Sequence, residues 1–435
     1  MSFSAIVAQM VSVIGGVMIW LRERGQKPAP PAFGGAPEIA TARPQGIPTL
    51  KMPTAVGWRD GRLPIAAAGL QVNAFKADLQ HPRWIHVLPN NDVLVSEALG
   101  VRSKIKSVFA YAVFAVMKRA QAVGDSANRI SLLRDADGDG IAETHEIFVQ
   151  DLYHPFGMAM LDGTLYVGNT DGLVSFPYEA GQTTITAQPA KLADFKPGGH
   201  WTRSILPSAD GTKLYIGVGS LSNIAECGME AEAGRACIHE FDRASGEIRI
   251  FASGLRNAVG LAFEPSTNLL WTVVNERDGL GDEVPPDYLT SVQDGGFYGW
   301  PYCYWGQIVD DRVPQDPAMV AKALRPDYAL GGHTASLGLC WLPDGYLPGF
   351  GEGMVIGQHG SWNRSTLAGY KVIHVPFKDG KPAGPPRDLL SGFLSDDEMH
   401  AYGRPVGVTL GPNKSLLVAD DVGNVIWRVV PSDNG

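Results

Sequence analysis

The side chains best suited to chemistry sit in short polar loops spread along the chain. His200 stands in Gly198-Gly199-His200-Trp201. An imidazole with its ordinary pKa near ~6.5 suits proton abstraction at neutral pH. His81, His154 and His333 occupy comparable loops, so position alone does not choose among the four. A metal centre built only from histidines is a second reading of that set. Arg256-Asn257 joins a fixed fork of donors to an amide, which suits carboxylates or carbonyls. Arg364, in His359-Gly360-Ser361-Trp362-Asn363-Arg364, and Arg404 add positive charge. Arginines that converge on one pocket imply an anionic ligand.

Two acidic stretches stand out. From Asp135 to Glu146 the chain has the form of a calcium loop, with Asp135, Asp137 and Asp139 at positions 1, 3 and 5. Gly140 follows at position 6 and Glu146 at position 12, a spacing that curls oxygens round one point. The flanks read as strands, so this is not an ordinary helix-loop-helix, and a solvated acidic hairpin is the alternative. The second stretch, 275–283, holds two glycines and five charged side chains, Glu276, Arg277, Asp278, Asp282 and Glu283. Such charge near a fold axis is costly unless something binds it or it satisfies itself by internal salt bridges.

These groups can cooperate only if distant loops meet. Six stretches share one form, strand, polar turn, strand, near 84–97, 157–171, 204–220, 260–276, 338–359 and 407–421. Each follows a loop holding His or Arg, such as His81-Pro82-Arg83-Trp84 or Gly403-Arg404-Pro405-Val406. A recurring unit of several strands, roughly 40–80 residues long, is the signature of a β-propeller. The reading is all-β: a six-bladed β-propeller over 49–435, whose six loops surround one axial pocket. The stretch 104–120 is apolar in its middle, basic at both ends and free of Gly and Pro, so it reads as a helix inserted between the first and second blades. It either touches a membrane or partner or packs on the propeller flank.

Residues 4–20 are almost wholly apolar and are followed by Arg22-Glu23-Arg24. That makes 1–24 a hydrophobic signal or anchor segment, and the Pro-, Gly- and Ala-rich 25–48 a flexible tether. The expected location is the periplasm, with membrane anchoring through this segment. The 52 glycines and 31 prolines fit many short strands rather than long helices. A net charge of −9 argues against nonspecific nucleic-acid binding. The four cysteines form no CxxC pair, so they permit either two disulfides or buried thiols. No GxGxxG follows a strand into a helix and there is no P-loop, which disfavours nicotinamide and flavin sites.

The chain resembles the pyrroloquinoline quinone (PQQ)-dependent glucose/sorbosone dehydrogenase family, most of all its L-sorbosone dehydrogenase branch. The resemblance runs from about His81 to Val430. It is carried by Ser253-Gly254-Leu255-Arg256-Asn257, the 274–283 stretch, Gly295-Gly296-Phe297-Tyr298-Gly299-Trp300-Pro301 and 359–364. It implies a six-bladed propeller with PQQ over the axial pocket. It implies His200 as the base, with hydride passing to the quinone C5, and Arg256 and Asn257 on the quinone oxygens. Glu97, Arg277, His333, His359, Arg364 and Arg404 are the other cofactor-binding positions. A Ca²⁺ held against PQQ by backbone carbonyls maps to Asp278 and Gly279, although the glucose dehydrogenases have Gln-Gly-Pro where this chain has Arg277-Asp278-Gly279. The implied reaction takes a sugar aldehyde or aldose to an acid or lactone and passes electrons to a quinone or cytochrome. A calcium-dependent propeller lactonase and a non-catalytic carbohydrate- or protein-binding propeller are the competing readings.

Overall fold

The computed structural model describes residues 32–45, 49–100 and 117–432. Among them, six antiparallel sheets of at least four strands stand around one axis. Blade 1 runs through Pro82–Val87, Val93–Glu97, Arg129–Arg134 and Thr144–Val149. Blade 2 runs through Pro155–Leu161, Thr164–Asn169, Gly172–Pro177 and Ala190–Asp194. Blade 3 runs through Ile205–Pro207, Lys213–Val218, Cys237–Asp242 and Ile248–Ser253. Blade 4 opens with Ala258–Glu264, Leu269–Val274 and Pro286–Ser291, and blade 5 with Ser336–Leu342, Gly353–Gln358 and Lys371–Lys378. Blade 6 holds Pro405–Gly411, Ser415–Asp420 and Val425–Pro431. Its fourth strand is Leu70–Lys76, from the other end of the chain, so pairing of Val429 with Val72 closes the ring. The repeated stretches legible in the sequence are the two inner strands of each blade.

The apolar face of each strand is buried between blades. One cluster, with Leu342, Phe393, Val418 and Trp427, lies between blades 5 and 6, and another, with Ile85, Val95, Leu417 and Ile426, between blades 6 and 1. Each fully buried aliphatic or aromatic side chain contributes about 1.5–3 kcal/mol relative to exposure. The inner strands approach one another closely. A Cβ on Gly407 would sit 2.7 Å from the Arg83 carbonyl of the next blade, and one on Gly260 2.7 Å from that of Leu337. Just before these glycines the inner strands carry β-bulges, at Pro82/Trp84, Ser336/Gly338 and Pro405/Val408 among others. A bulge re-aims one side chain. In blades 2, 4, 5 and 6 the residue there is Phe156, Val259, Leu337 or Val406, and all four join one buried cluster at the axis. In blade 1 it is Arg83, while in blade 3, whose inner pair has no bulge, Arg203 stands two residues before Ile205–Pro207.

Two expectations need correction. Part of the 25–48 tether is docked: Phe33–Gly34 pairs with Leu330 and Ala329 at the edge of blade 4, and the Arg43 and Gln45 amides donate to the Leu280 and Gly279 carbonyls at 2.7 and 2.8 Å. A backbone with ladder partners to meet is not a free linker. The insertion lies inside blade 1, between Val93–Glu97 and Arg129–Arg134, not between blades 1 and 2. Its residues 104–116, like the apolar run 4–20, lie outside the described residues, while 117–119 are helical. Among the described residues no helix is long and apolar enough to cross a membrane. All four cysteines are free thiols.

Candidate active site

Two adjoining cavities open on the axis. The larger, about 500 Å³, is lined by Arg83, His200, Trp201, Asn257, His359 and Arg404 among others, and the smaller, about 220 Å³, by Arg256, Glu276, Asp278, Asp287, His333 and Asn363. His200, Asn257, Asn275, Ala335 and Trp362 line both. The residues come from the loops that precede the inner strands and from the ends of the second strands. Leu50 and Met52 of the N-terminal arm and Met117 and Ala122 of the insertion add an apolar side to the larger cavity.

His200 is held through one nitrogen. Its Nδ1 lies 2.8 Å from the Ser220 carbonyl and 3.1 Å from the Ser220 hydroxyl. That hydroxyl donates to the Ser222 carbonyl at 2.7 Å, so the proton between ring and carbonyl belongs to Nδ1. Nε2 is then a bare base, and the ring lines both cavities. Burial, then the charge of Arg256, depress its pKa to about 3, so the ring is neutral throughout the ordinary pH range. Gly219 makes this placement possible, because a Cβ there would meet the His200 Cβ at 2.6 Å and would overlap the Asn257 amide. Asn257 is buried beside it with Oδ1 unpartnered. Arg256 donates to the Glu276 carbonyl at 2.7 Å and to Asn223 Oδ1 at 2.9 Å.

At the far side of the larger cavity Asp421 joins two arginines and a histidine. It pairs with Arg83, lies 3.0 Å from His359 Nε2, and neighbours Arg404. Burial raises the Asp421 pKa, but His359, Arg83 and Arg404 outweigh it and hold the carboxylate ionised. Burial and Arg404 in turn depress His359 to about 4, so His359 is a neutral donor. Arg404 donates to the His359 and Gly360 carbonyls at 2.8 and 2.6 Å. Arg83 stacks 5.2 Å from the Trp201 ring, and its Nε is buried without a partner. In the smaller cavity, burial raises Glu276 to about 7, and its Oε1 is also unpartnered. His333 accepts from the Asn363 amide through Nδ1 at 3.1 Å and donates through Nε2 to the Gly281 carbonyl at 2.9 Å.

Of the residues singled out in the sequence, His200, Arg256, Asn257, Asp278, His333, His359 and Arg404 line the cavities. Glu97, Arg277 and Arg364 do not. Glu97 points into its own blade, where Arg129 Nε reaches it at 2.8 Å and Ser131 donates to it. Arg277 is buried against Asp310, and Arg364 against Glu283 and the Gly332 carbonyl. Remote acids thus neutralise both guanidinium groups. The backbone carbonyls expected to hold Ca²⁺ are also taken. That of Asp278 accepts from Arg277 Nε at 3.1 Å and Asn223 at 3.1 Å, and that of Gly279 from Arg312 at 3.0 Å. They do not fit a cofactor-side calcium site. It is the Asp278 carboxylate that faces the smaller cavity, with Asn363 donating to it.

The acidic loop closes differently from the twelve-residue pattern. Asp135, Asp137 and Asp139 group with Glu143, not Glu146. The chain enters the strand Thr144–Val149 instead of a helix, which carries Glu146 onto an exposed strand position. Glu143 accepts from the Ala136 amide at 2.9 Å.

The sequence pattern described as TrAA12-like matches residues 64–431. The chain belongs to the TrAA12-like family. A pyrroloquinoline quinone-dependent pyranose dehydrogenase of Coprinopsis cinerea is 25% identical over 362 residues, 67% of this chain and 48% of that enzyme. An uncharacterized protein of Borreliella burgdorferi is 30% identical over 233 residues, 53% of this chain and 60% of its own length. This TrAA12-like chain thus spans about half the length of the Coprinopsis enzyme. In fold it is similar to the iodide structure of Trichoderma reesei family AA12, with TM-score 0.69 and 20% identity over 85% of this chain and 98% of that one. The holo PQQ domain of the Coprinopsis pyranose dehydrogenase gives TM-score 0.68 and 21% identity over 88% and 100% of the two chains. These likenesses establish the six-bladed fold of the TrAA12-like chain.

The donor set fits a flat, polyanionic quinone. Unpartnered buried atoms of Arg83 and Asn257, the cations Arg404 and Arg256, and the indoles of Trp201 and Trp362 border one slot. Sequence reasoning missed Asp287, and it gave no individual site role to Arg83, Asn275, Glu276, Asp421 or Asn363, although all five lie in stretches it marked. A signal existed for some of them. Aligning the repeats puts Arg83 in the column of Leu337 and Val406, and puts Asn275, His359 and Asp421 together at the ends of second strands.

Proposed function

We propose that this TrAA12-like protein oxidises a sugar aldehyde or aldose, with PQQ bound in the axial cavities and His200 as general base. The observation that carries this reading is the meeting of His200, Arg256, Asn257 and Arg404 around one hollow, with Nε2 of His200 left bare. PQQ, when bound, supplies a two-electron, hydride-accepting ortho-quinone. Arg83, His359 and Arg404 are the residues to hold its carboxylates, and Arg256 and Asn257 the residues to hold its quinone oxygens.

The chain's own part is to place and deprotonate the substrate. Nε2 of His200 takes the hydroxyl proton, and the Ser220 carbonyl steadies the ring as it becomes charged. Arg256 stabilises negative charge that develops across the smaller cavity. Trp201, Trp362, Leu50 and Met52 keep water from the reacting centre. An aldehyde such as L-sorbosone would react as its hydrate, which offers the same O–H and C–H as an aldose hemiacetal. One base then serves both substrates, and the product is an acid or a lactone. The Asp135–Asp137–Asp139–Glu143 loop is our candidate for a structural Ca²⁺. Reoxidation by a quinone or cytochrome in the periplasm, with anchoring through residues 1–24, completes the proposal.

The test is a panel of L-sorbosone, D-glucose and other aldoses with an artificial electron acceptor, run with and without PQQ. Dye reduction that requires both sugar and PQQ is expected. Turnover without PQQ, or none after PQQ has saturated the protein, overturns the reading.

A further inference from the structure

The loop 221–235 joins Lys213–Val218 to Cys237–Asp242 in blade 3 and turns two charged side chains inward, Glu232 and Arg235. Neither lines the axial cavities. The five hydrogen bonds of the Arg235 guanidinium end on carbonyls of the two segments that hold His200. Nε reaches Gly219 at 3.1 Å and Nη1 reaches Lys196 at 2.6 Å. Nη2 reaches Gly198 at 2.7 Å, His200 at 3.0 Å and Ser220 at 3.2 Å. The last of these is the carbonyl that accepts the Nδ1 proton of His200.

Glu232 holds the same segment from its other end. It accepts from the amides of Leu221 and Ser222 at 2.7 and 2.9 Å and from the Ser222 hydroxyl at 2.6 Å. Ser222 in turn accepts the Ser220 hydroxyl proton. That bond turns the hydroxyl hydrogen away from the imidazole, so Ser220 can receive the ring's proton but not give its own. A buried guanidinium is costly unless its donors are met. Here they are met by a cage of carbonyls, and that cage is the seat of His200.

We propose that Arg235 and Glu232 form a clamp that fixes His200 in the tautomer with its proton on Nδ1, which makes both of them positioning residues for the oxidation. The proposal rests on the reading of His200 as the base. Other charges face the ring too. Arg203 lies beneath the loop, with Nη1 on the His200 carbonyl at 2.9 Å. Arg256, Glu276, Asp278, Asp287 and His333 border the smaller cavity. Arg83, His359 and Arg404 border the larger one. Arg235 alone among these cations touches the carbonyl that receives the ring's proton.

The test uses the full chain labelled with ¹⁵N-histidine, the His200 ring signals being assigned by their loss in His200→Gln, together with the pH profile of PQQ-dependent kcat/KM. In Arg235→Met the Nδ1-protonated signature should give way to a mixture of tautomers. Turnover should fall about 10–100-fold, and the acid limb should move up by about one pH unit, because a cation that opposed protonation is gone. Arg235→Lys should restore the limb but not the tautomer, since an ammonium keeps the charge without the fork. Glu232→Gln should shift the tautomer in the same direction and leave the limb in place. A folded Arg235→Met with an unchanged tautomer overturns the clamp, whatever its turnover. If that variant does not fold, an unchanged Nδ1 signal in Glu232→Gln overturns it. A tautomer shift in a protein that shows no PQQ-dependent turnover supports the clamp and overturns the proposed function instead.

Discussion

At the scale of single residues, the proposed base must be both neutral and correctly protonated, and His200 meets both conditions. Its depressed pKa, about 3, comes chiefly from burial and then from Arg256. The folded protein should therefore keep His200 deprotonated well below pH 6.5, and kcat/KM should show no acid limb from His200 between pH 7 and about 5. A limb near 6.5 that disappears in His200→Gln would contradict this. His200→Ala should cut turnover about 10²–10⁴-fold while PQQ still binds, which a binding titration beside the rate measurement checks. His374 tests a different consequence of burial. It is buried in Lys371–Lys378, and burial depresses its pKa to about 4. The unfolded chain, with an ordinary value near ~6.5, binds that proton more readily. Stability from this residue is thus full above pH 6.5 and falls as the pH drops towards 4. The gap between melting temperatures at pH 7.5 and pH 5 should narrow in His374→Leu, and an equal gap in both proteins would refute it.

At the scale of elements, the inner strand of each blade is both a wall and a pointer. In five blades a bulge turns one residue towards the axis, and in four of these a glycine beside the bulge lets neighbouring backbones meet. Gly407→Val should destabilise the fold by about 1–3 kcal/mol, read by chemical denaturation, because the new side chain meets the Arg83 carbonyl and the Trp84 backbone. This level also separates what the sequence made legible from what it did not. The hairpins 84–97 to 407–421 repeat a local pattern, so their form and the His or Arg before them could be read directly. Alternation along Val93–Glu97 sends Glu97 into its blade, but the partners that draw it there, Arg129 and Ser131, lie beyond the long insertion. Arg277 and Arg364 looked free because Asp310 and Glu283 are remote in sequence. Glu143 replaces Glu146 because a strand, not a helix, follows the acidic loop. Arg83 was hidden by its bulge, which shows only when all six repeats are aligned.

At the scale of the whole molecule, the ring is closed by chain segments far apart in sequence. Leu70–Lys76 completes blade 6, while the residues before it cross the axial face and bring Leu50 and Met52 to the cavity. A chain begun at Ala77 should lose its cooperative thermal transition, since blade 6 would expose the ladder edge of Val425–Pro431. A sharp, unshifted transition would show that closure contributes little. The molecule carries a net charge of −9, yet Arg83, Arg256 and Arg404 face its axial hollow. An anionic ligand is therefore drawn by local geometry rather than by the overall field. The most direct measurement is a calorimetric titration of the apo protein with PQQ. One PQQ should bind per chain, and Arg83→Met or Arg404→Met should weaken it about 10–100-fold, the loss expected for one charged hydrogen-bonding partner. Asp137→Asn, far from the axis, should leave the affinity unchanged. No binding, or binding indifferent to Arg83 and Arg404, would contradict the account.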